Sequence, residues 1–494
     1  MRSKRAVVIG AGLAGLAAAI HLRRQGREVL LLEAGDSFGG CCATTDIDGY
    51  RFNDGAMYIA LPRLLDHAFG RIGLDREALL PLKRIDVPQA TVLPGGTRVS
   101  FPDGEPPRVT GENGDARSEK LAVELGQCLE KWRPILRLFA DELLPWPLSA
   151  PRLMSKAWRV MPKLHGKLDA ELRRLFSDPE TRAAAAAITL YTGLPADATP
   201  ITQIFGLVAM LDEGFHLPVG GMGAITEALR REFEVAGGVL RLGARVTHIG
   251  IGNGRVATLT LADGEQLVES TVVCTASAMA TFGEMIDPAQ VPVSIARRLR
   301  GAGLSHRAVS IQLGLAGRID APAFVVNHVP LMEHQHEFVV PQPGRVDWLA
   351  YSVPSRVLGD LAPPGGSVVE MFAAVDPAMP VSAWTDEMTG KVAEATEAAL
   401  ARLHPLDVRV RRVRGPRHFA ERMNLFDGAL YGLSPAAGPM QQFPHATPIQ
   451  GLFLAGQTSY PGYGVAPAMI SGILAAEAVQ AQAEATAGGA SPSA

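Results

Sequence analysis

Cysteine is scarce in this chain: four residues (Cys41, Cys42, Cys128 and Cys274) among 494. That is too few for a disulfide framework and fits a reducing cytoplasm. The adjacent Cys41–Cys42 pair is not a C-x-x-C, and no nearby histidines complete a metal set. His334 and His336, two apart on an expected strand, do not make one either. No apolar run of 18 or more residues is free of charges and helix breakers, which excludes an evident membrane span. Charge of one sign is also missing: Lys plus Arg number 47, Asp plus Glu 50, and the net charge is −3. A bulk interaction with nucleic acid is thereby disfavoured. Hydrophobic residues make up 47% and charged residues 20%, the balance of a folded globular chain long enough for two or three domains.

What is present is concentrated at the start. Ala6–Ile9 reads as a buried parallel strand. Gly10, Gly12 and Gly15 follow as G-x-G-x-x-G, and Leu13–Gln25 has helical length and an apolar face. Gly26 stops that helix, Val29–Leu32 is a second buried strand, and Glu33 closes it roughly twenty residues past the glycines. Gly10 permits the tight turn, Gly12 the approach of a pyrophosphate, and Gly15 the packing of helix on strand. The helix N-terminus offers free N–H groups to phosphate. A carboxylate at Glu33 accepts both ribose hydroxyls and opposes a 2′-phosphate, so FAD or NAD fits better than NADP. Arg2, Lys4 and Arg5 ahead of an Ala-rich stretch imitate a secretory signal, but cleavage there would remove the nucleotide site.

Further along, Gly35–Gly40 is a loop and residues 44–55 a hairpin turning at Asp48–Gly49. A helix is expected at 61–69, and strands around Pro94-Gly95-Gly96 within 83–101. From Ser118 to Phe176 the pattern is helical. Within 131–175 ten bases face four acids, and three of the five tryptophans (Trp132, Trp146, Trp158) lie there. Basic helices bearing Trp and Leu suit a bilayer surface, although a solvated cap with core tryptophans is the plainer alternative. Helices follow at 183–190, 202–211 and 224–235. A strand is expected over Val239–Val246, then hairpins at Asn253–Gly254 and Asp263–Gly264, and a buried strand at 271–275. Strands are expected at 305–316, 337–341, 346–353, 367–374 and 408–414, with a helix at 384–403. Gly451–Gly456 is a buried strand and turn. A helix from 468 to about 481 follows, with residues 482–494 as a disordered tail.

These segments carry a resemblance. V-V-I-G-A-G-L-A-G-L (7–16), L-L-E-A (31–34), G-G (39–40), G-Y-R-F-N-D-G (49–55), P-V-G-G-M-G (218–223), G-V-L-R-L-G-A-R-V (238–246) and F-L-A-G-Q-T-S-Y-P-G-Y-G-V-A-P-A-M-I-S-G (453–472) are similar to the FAD-dependent superfamily of amine oxidases and phytoene desaturases. Within it the chain most resembles the bacterial phytoene desaturase branch of carotenoid desaturases and isomerases. The resemblance implies an α/β fold: a Rossmann-type, glutathione-reductase-like FAD-binding domain from 1–82, 216–300 and 415–481. An inserted α+β substrate domain would comprise 83–215 and 301–414, with 118–215 as a helical cap.

It also implies non-covalent FAD held by Gly10, Gly12, Leu13, Ala14 and Gly15 at the pyrophosphate and by Glu33 and Ala34 at the adenosine. Gly39, Gly40 and Cys41 would lie near the pyrophosphate and ribityl chain, and Gly55, Ala56 and Met57 near the ring. Val246 would meet the adenine. Gly456 and Gln457 would hold pyrophosphate and ribityl, and Gly464, Val465 and Ala466 the flavin N1–C2=O edge, where a helix N-terminus favours negative charge. Three positions depart from the usual pattern: Gln457 for an acid, Cys41 for a base, and Phe52-Asn53 for Phe-Asp.

The implied activity is hydride transfer between a carbon–carbon bond of an apolar polyene or isoprenoid-like substrate and flavin N5. A redox-neutral double-bond isomerase, an amine oxidase and a non-enzymatic prenyl escort are the alternatives. Candidates for contact with substrate are Tyr460, Tyr463 and His216, each with a packing role as its alternative. The implied setting is cytoplasmic, peripheral on the inner face of the membrane through 118–176.

Overall fold

A computed structural model describes residues 5–335, 340–375, 379–438 and 441–487. The opening pattern folds as a parallel sheet of β1 (Arg5–Ile9), β2 (Glu28–Leu32), β3 (Val239–Arg241), β4 (Val272–Cys274) and β5 (Leu452–Leu454), in the order β3-β2-β1-β4-β5. Val8 pairs with Leu31 on one side and Val273 on the other, and Val273 pairs with Phe453. Helices cover such a sheet, so its strands read as continuous apolar runs. The first helix, α1 (Leu13–Arg24), is buried from Leu13 to Ile20. The last helix, α2 (Val465–Ala487), crosses it closely: a Cβ built on Gly472 would sit 2.0 Å from the Ala14 carbonyl oxygen. α1 is therefore apolar all round because sheet and α2 enclose it.

The expected strand 239–246 is two strands. β3 ends at Arg241, and Val246–Gly252 instead begins a three-stranded antiparallel sheet with Arg255–Leu261 and Gln266–Val268. Gly243, at φ +65°, turns the chain between them. The turn docks on the end of β2, where the Ala244 N–H donates to the Glu33 carbonyl at 2.7 Å.

A second, eight-stranded sheet runs Val408–Arg414, Arg307–Leu315, Ser367–Val375, Leu349–Ser352, Val325–His328, Gln89–Val92, Arg98–Phe101, Arg108–Val109. Strands from either side of the glycine-rich middle segment thus share one sheet, all antiparallel except Val325–His328 beside Gln89–Val92. Val325–His328 was not expected as a strand, and most of the expected strand 337–341 lies outside the described residues, as does His336. His334 sits on a short 3-10 turn rather than a strand. One face of the sheet packs on helix Asp386–Ala401.

The segment expected as a cap contains helices Gly114–Leu138, Ala150–Ala157, Leu168–Leu175, Pro179–Ala187 and Ile204–Asp212. Trp132 is core, its indole N–H donating to Glu171 Oε1 at 2.7 Å. α2 begins three residues before the expected start and stays helical through 487, so residues 482–487 are not a disordered tail; 488–494 lie outside the described residues. Gln482 anchors that extension, its Oε1 accepting the Gly451 N–H at 3.1 Å.

Candidate active site

The Gly10 N–H donates to the Leu32 carbonyl at 2.7 Å, which seats the glycine turn between β1 and β2. Leu16 makes the first bond of α1, to the Gly12 carbonyl at 3.0 Å. The N–H groups of Leu13, Ala14 and Gly15 therefore have no acceptor within the helix. A Cβ on Gly15 would lie 1.8 Å from the Gly10 carbonyl oxygen, whereas one on Gly12 would meet nothing within 4 Å. Gly15 faces the protein and Gly12 faces open space. Glu33 is fixed at the end of β2: Oε2 accepts the Ala11 N–H and Oε1 the Gly35 N–H, each at 2.8 Å. That geometry leaves lone pairs of the carboxylate for ribose hydroxyls. Ala34 follows it, half-buried.

Two further segments close on this turn. The Gly39 N–H donates to the Ala11 carbonyl at 2.9 Å, and the Ala56 N–H to the Cys41 carbonyl at 2.8 Å. The chain 39–41 thus joins the glycine turn to the loop 54–57. From the other end of the sequence, Thr275 makes the link. Its side chain packs on Gly10, and its carbonyl oxygen would lie 3.2 Å from a Cβ on Gly456. Ala468 makes the first bond of α2, to the Gly464 carbonyl at 3.0 Å. The N–H groups of Val465 and Ala466 have no acceptor within α2, and Pro467 has none to offer. Gly40, Gly55 and Gly464 keep exposed surface, and Gly12, Ala56, Met57, Gln457 and Val465 are half-buried. Val246 is 8% exposed, two residues after the Ala244–Glu33 bond.

These residues fit FAD. The open side of Gly12 and two sets of unclaimed helical N–H groups suit a pyrophosphate and an electron-rich ring edge. Gln457 Oε1 is buried with no partner, an acceptor that a ribityl hydroxyl would satisfy.

Beneath the loop 54–57 lies a polar network that the sequence reading missed. Glu370 is 8% exposed, and its Oε1 accepts the Asn53 N–H at 2.7 Å. Gln312 Nε2 donates to the Asn53 carbonyl at 2.6 Å, and Asn53 Oδ1 accepts the Met222 N–H at 3.0 Å. Asp54 Oδ1 accepts from Arg414 at 3.0 Å and also from Arg412. The available signal was the spacing of Arg412 and Arg414, two apart and so on one face of their strand. Burial lowers Arg414 to about 10, with Arg412 adding to the effect and Asp54 opposing it. Burial pushes the Cys41 thiol up to about 11, and Cys42 higher still, so both stay protonated thiols near neutrality.

Burial also raises the Glu370 carboxyl to about 7, against the Asn53 N–H and Arg414, which favour its charged form. The folded state then binds a proton more tightly than the unfolded chain. Its neutral form costs nothing below the ordinary carboxylate range, and the ionisation penalty grows as pH rises to about 7. Glu370→Gln should therefore gain stability relative to the parent between pH 5 and pH 8, by about 3 kcal/mol. Urea midpoints of both proteins at the two pH values check this, and parallel pH dependence would sink it.

The three candidates for substrate contact separate. Tyr460 is 8% exposed, and its hydroxyl donates to the Leu143 carbonyl at 2.9 Å, tying the α2 entry to the cap. His216 lies on strand His216–Pro218, and its backbone pairs in both directions with Ile59. Its ring is pushed below the ordinary histidine value by burial and then by Arg84. Tyr463 packs against Tyr431, ring centroids 4.6 Å apart at 36°, and accepts from Gln203 Nε2 at 3.4 Å. Tyr58 stacks on Phe215 at 3.9 Å and meets Phe324 edge-on at 6.3 Å. Sequence reasoning missed Tyr58 and Tyr431, which carry no local pattern.

A parallel sheet with these turns, an acid on its second strand and a closing helix aimed back at the first defines an FAD-dependent oxidoreductase. The chain belongs to the flavin-containing amine oxidoreductase family, whose sequence model matches residues 13–480. It is 28% identical over 506 aligned positions to the zeta-carotene-forming phytoene desaturase of Myxococcus xanthus, covering 96% of this chain and 94% of that protein. It is 24% identical to the chloroplastic prolycopene isomerase of Arabidopsis thaliana, covering 96% and 82% respectively. The crystal structure of an oxidoreductase from Methanosarcina mazei shares the fold, with a TM-score of 0.64 at 17% identity, covering 97% of this chain and all of that one.

Proposed function

We propose that this protein desaturates or reduces a carbon–carbon bond of an apolar polyene or isoprenoid-like substrate. End-to-end likeness to a phytoene desaturase carries the reading. An aromatic cluster beside the loop 54–57, Tyr58 stacked on Phe215 and edge-on to Phe324, is in keeping with it. Bound FAD supplies hydride acceptance or donation; the chain's part is to hold the ring, orient the substrate and exclude water. Gly55, Ala56, Met57, Val465 and Ala466 would hold the ring. The amine reading fares worse: it wants two aromatic rings caging a neutral amine, and of Tyr460 and Tyr463 the first is 8% exposed with its hydroxyl tied to the Leu143 carbonyl.

The similarity to prolycopene isomerase keeps a redox-neutral isomerase as the second reading. Anaerobic mixing of the oxidised holoprotein with linear polyenes, fatty acyl polyenes and amines tests all of these. Flavin bleaching by polyene supports desaturation, and isomerised product with an unchanged flavin spectrum supports the second reading. Bleaching by amines alone overturns both.

Among the described residues, no helix is long and apolar enough to cross a membrane. The cap nonetheless suits a bilayer surface on its cytoplasmic side. Trp146, Met154, Trp158 and Met161 are 39%, 67%, 56% and 39% exposed. Arg152 and Arg159 lie over Trp146 and Trp158 at 5.1 Å. Apolar rings rimmed by cations sit at the headgroup boundary. The Tyr460–Leu143 bond connects this part of the cap to the α2 entry, so an apolar substrate could enter from lipid. The double variant Met154→Ser, Trp158→Ser should bind anionic vesicles at least ~10-fold more weakly, since each side chain forfeits about 1.5–3 kcal/mol of burial. Vesicle co-sedimentation measures it, and unchanged binding would refute the membrane reading.

A further inference from the structure

The loop 54–57 is held from the eight-stranded sheet rather than from the parallel one. Strand register lines up Ser352, Glu370, Gln312 and Arg412 on neighbouring strands, and cross-strand partners share one face of a sheet. That row meets the end of the 44–55 hairpin at Asn53, which is buried. Glu370 Oε1 accepts the Asn53 N–H at 2.7 Å, and Gln312 Nε2 donates to the Asn53 carbonyl at 2.6 Å. Asn53 Oδ1 accepts from the Met222 N–H at 3.0 Å and from Thr44 Oγ1 at 3.3 Å. The next residues are fixed in turn. The Asp54 N–H donates to the Ala43 carbonyl at 2.9 Å and the Ala56 N–H to the Cys41 carbonyl at 2.8 Å. A Cβ on Gly55 would lie 3.0 Å from that same Cys41 oxygen.

Charge in this network is balanced. Two guanidiniums, Arg412 and Arg414, face two carboxyls, Asp54 and Glu370. Gln312 and Ser352 carry no charge, and the Cys41 and Cys42 thiols stay protonated. The His418 ring, lowered to about 4 by burial and then by Arg414 and Arg412, is neutral. The Asn53 amide leaves this count unchanged, and it favours the charged form of Glu370. An aspartate of the same shape would set three acids against two bases and put a second carboxylate beside Glu370. Like charges repel strongly in such a buried place. The departure from Phe-Asp at Phe52-Asn53 then has a physical reason 317 residues away.

We propose that Asn53 is a positioning residue for the flavin ring, gripped by Glu370 and Gln312 of the eight-stranded sheet, and that it is an amide because Glu370 faces it. This rests on the reading that the loop 54–57 holds the ring, and not on the choice of substrate. Asn53 acts through the loop it anchors: its own contacts are all with protein. A shift of the hairpin end by a repelled side chain would travel directly to Gly55, Ala56 and Met57.

The test is release of FAD from the full-length holoprotein on dilution, read as recovered flavin fluorescence at about pH 6 and about pH 8, with circular dichroism to confirm the fold. Asn53→Asp should hold FAD about tenfold more weakly than the parent at the higher pH. The loss should shrink at the lower pH, where one of the two facing acids takes up a proton. Adding Glu370→Gln should restore the affinity to within about threefold of the parent, because the glutamine oxygen still accepts the Asn53 N–H. A purely structural role would lower stability without this pH profile or this rescue. A loss equal at both pH values and untouched by Glu370→Gln overturns the inference. So does parental affinity in Asn53→Asp, provided that Gly55→Val, which presses the loop off the Cys41 carbonyl directly, weakens FAD binding. If Gly55→Val also keeps parental affinity, the loop does not hold the ring and that reading falls with the inference. Should Asn53→Asp not fold, Gln312→Met decides. It removes the donor to the Asn53 carbonyl without adding charge and should hold FAD about fivefold more weakly, and parental affinity there overturns the inference.

Discussion

Gly12→Val should give a folded protein that no longer retains FAD, while Gly15→Val should fail to fold stably. The two glycines stand three residues apart in one motif, and their surroundings are opposite. A Cβ on Gly12 meets nothing within 4 Å, so a side chain there starts into open space rather than into protein; it fills the space through which the pyrophosphate would approach the α1 N-terminus. A loss of FAD affinity of about a hundredfold or more is expected, equivalent to about 3 kcal/mol of steric exclusion. A Cβ on Gly15 would lie 1.8 Å from the Gly10 carbonyl oxygen, a backbone atom that cannot rotate away. α1 would have to leave β1, yet α2 holds it from the far side through the Gly472–Ala14 contact. A cost of about 3 kcal/mol or more follows. Flavin content per folded protein, with circular dichroism and a denaturant midpoint, separates the outcomes. A yellow Gly12→Val protein, or a Gly15→Val protein of parental stability, would contradict this assignment of the two faces.

Asp54→Ala should be the most destabilising single change in the network beneath the loop. The Arg414 side chain is 3% exposed and that of Arg412 21%, and Asp54 accepts from both. Its removal leaves two guanidinium groups facing each other with their nearest carboxylate gone. Breaking a buried pair in this way costs about 3–5 kcal/mol, because the stranded charge keeps its desolvation penalty. Glu370 would then carry more of the compensation, so Asp54→Ala and Glu370→Gln should not be additive. FAD release should also quicken, since Asp54 begins the loop that reaches Met57. Chemical denaturation of the single and double variants checks both points. A loss below about 1 kcal/mol for Asp54→Ala would show that the arginines are not held by this carboxylate.

The legible part of the candidate site is the part whose conformation is local. Gly10, Gly12, Gly15 and Glu33 lie within one strand–turn–helix–strand unit, where backbone sterics and helix-end chemistry assign each residue its task. The entry to α2 was legible for the same reason, through Gly464 and Pro467. Val246 was harder. The apolar run 239–246 reads as one strand, but the Gly243 turn divides it between two sheets because the chain just past β2 offers the Glu33 and Gly35 carbonyls as acceptors. The tail from 482 to 487 reads as polar and disordered; in the fold, Gln482 finds Gly451 and the helix continues.

Of the three phenols near the ring-holding segments, Tyr463 was named from the sequence, whereas Tyr58 and Tyr431 were not. The three are scattered over four hundred positions and share no spacing. Asn53 and Glu370 are 317 residues apart and bond directly. By itself the sequence determined the class of fold, the FAD cofactor and the place of Glu33 at the end of β2, because these depend on φ/ψ sterics and hydrogen bonds among near neighbours. Only the tertiary structure decided which distant phenols, amides and charges share one low-dielectric space. Burial, pKa and unmet hydrogen bonds belong to a packed neighbourhood and to no residue in isolation.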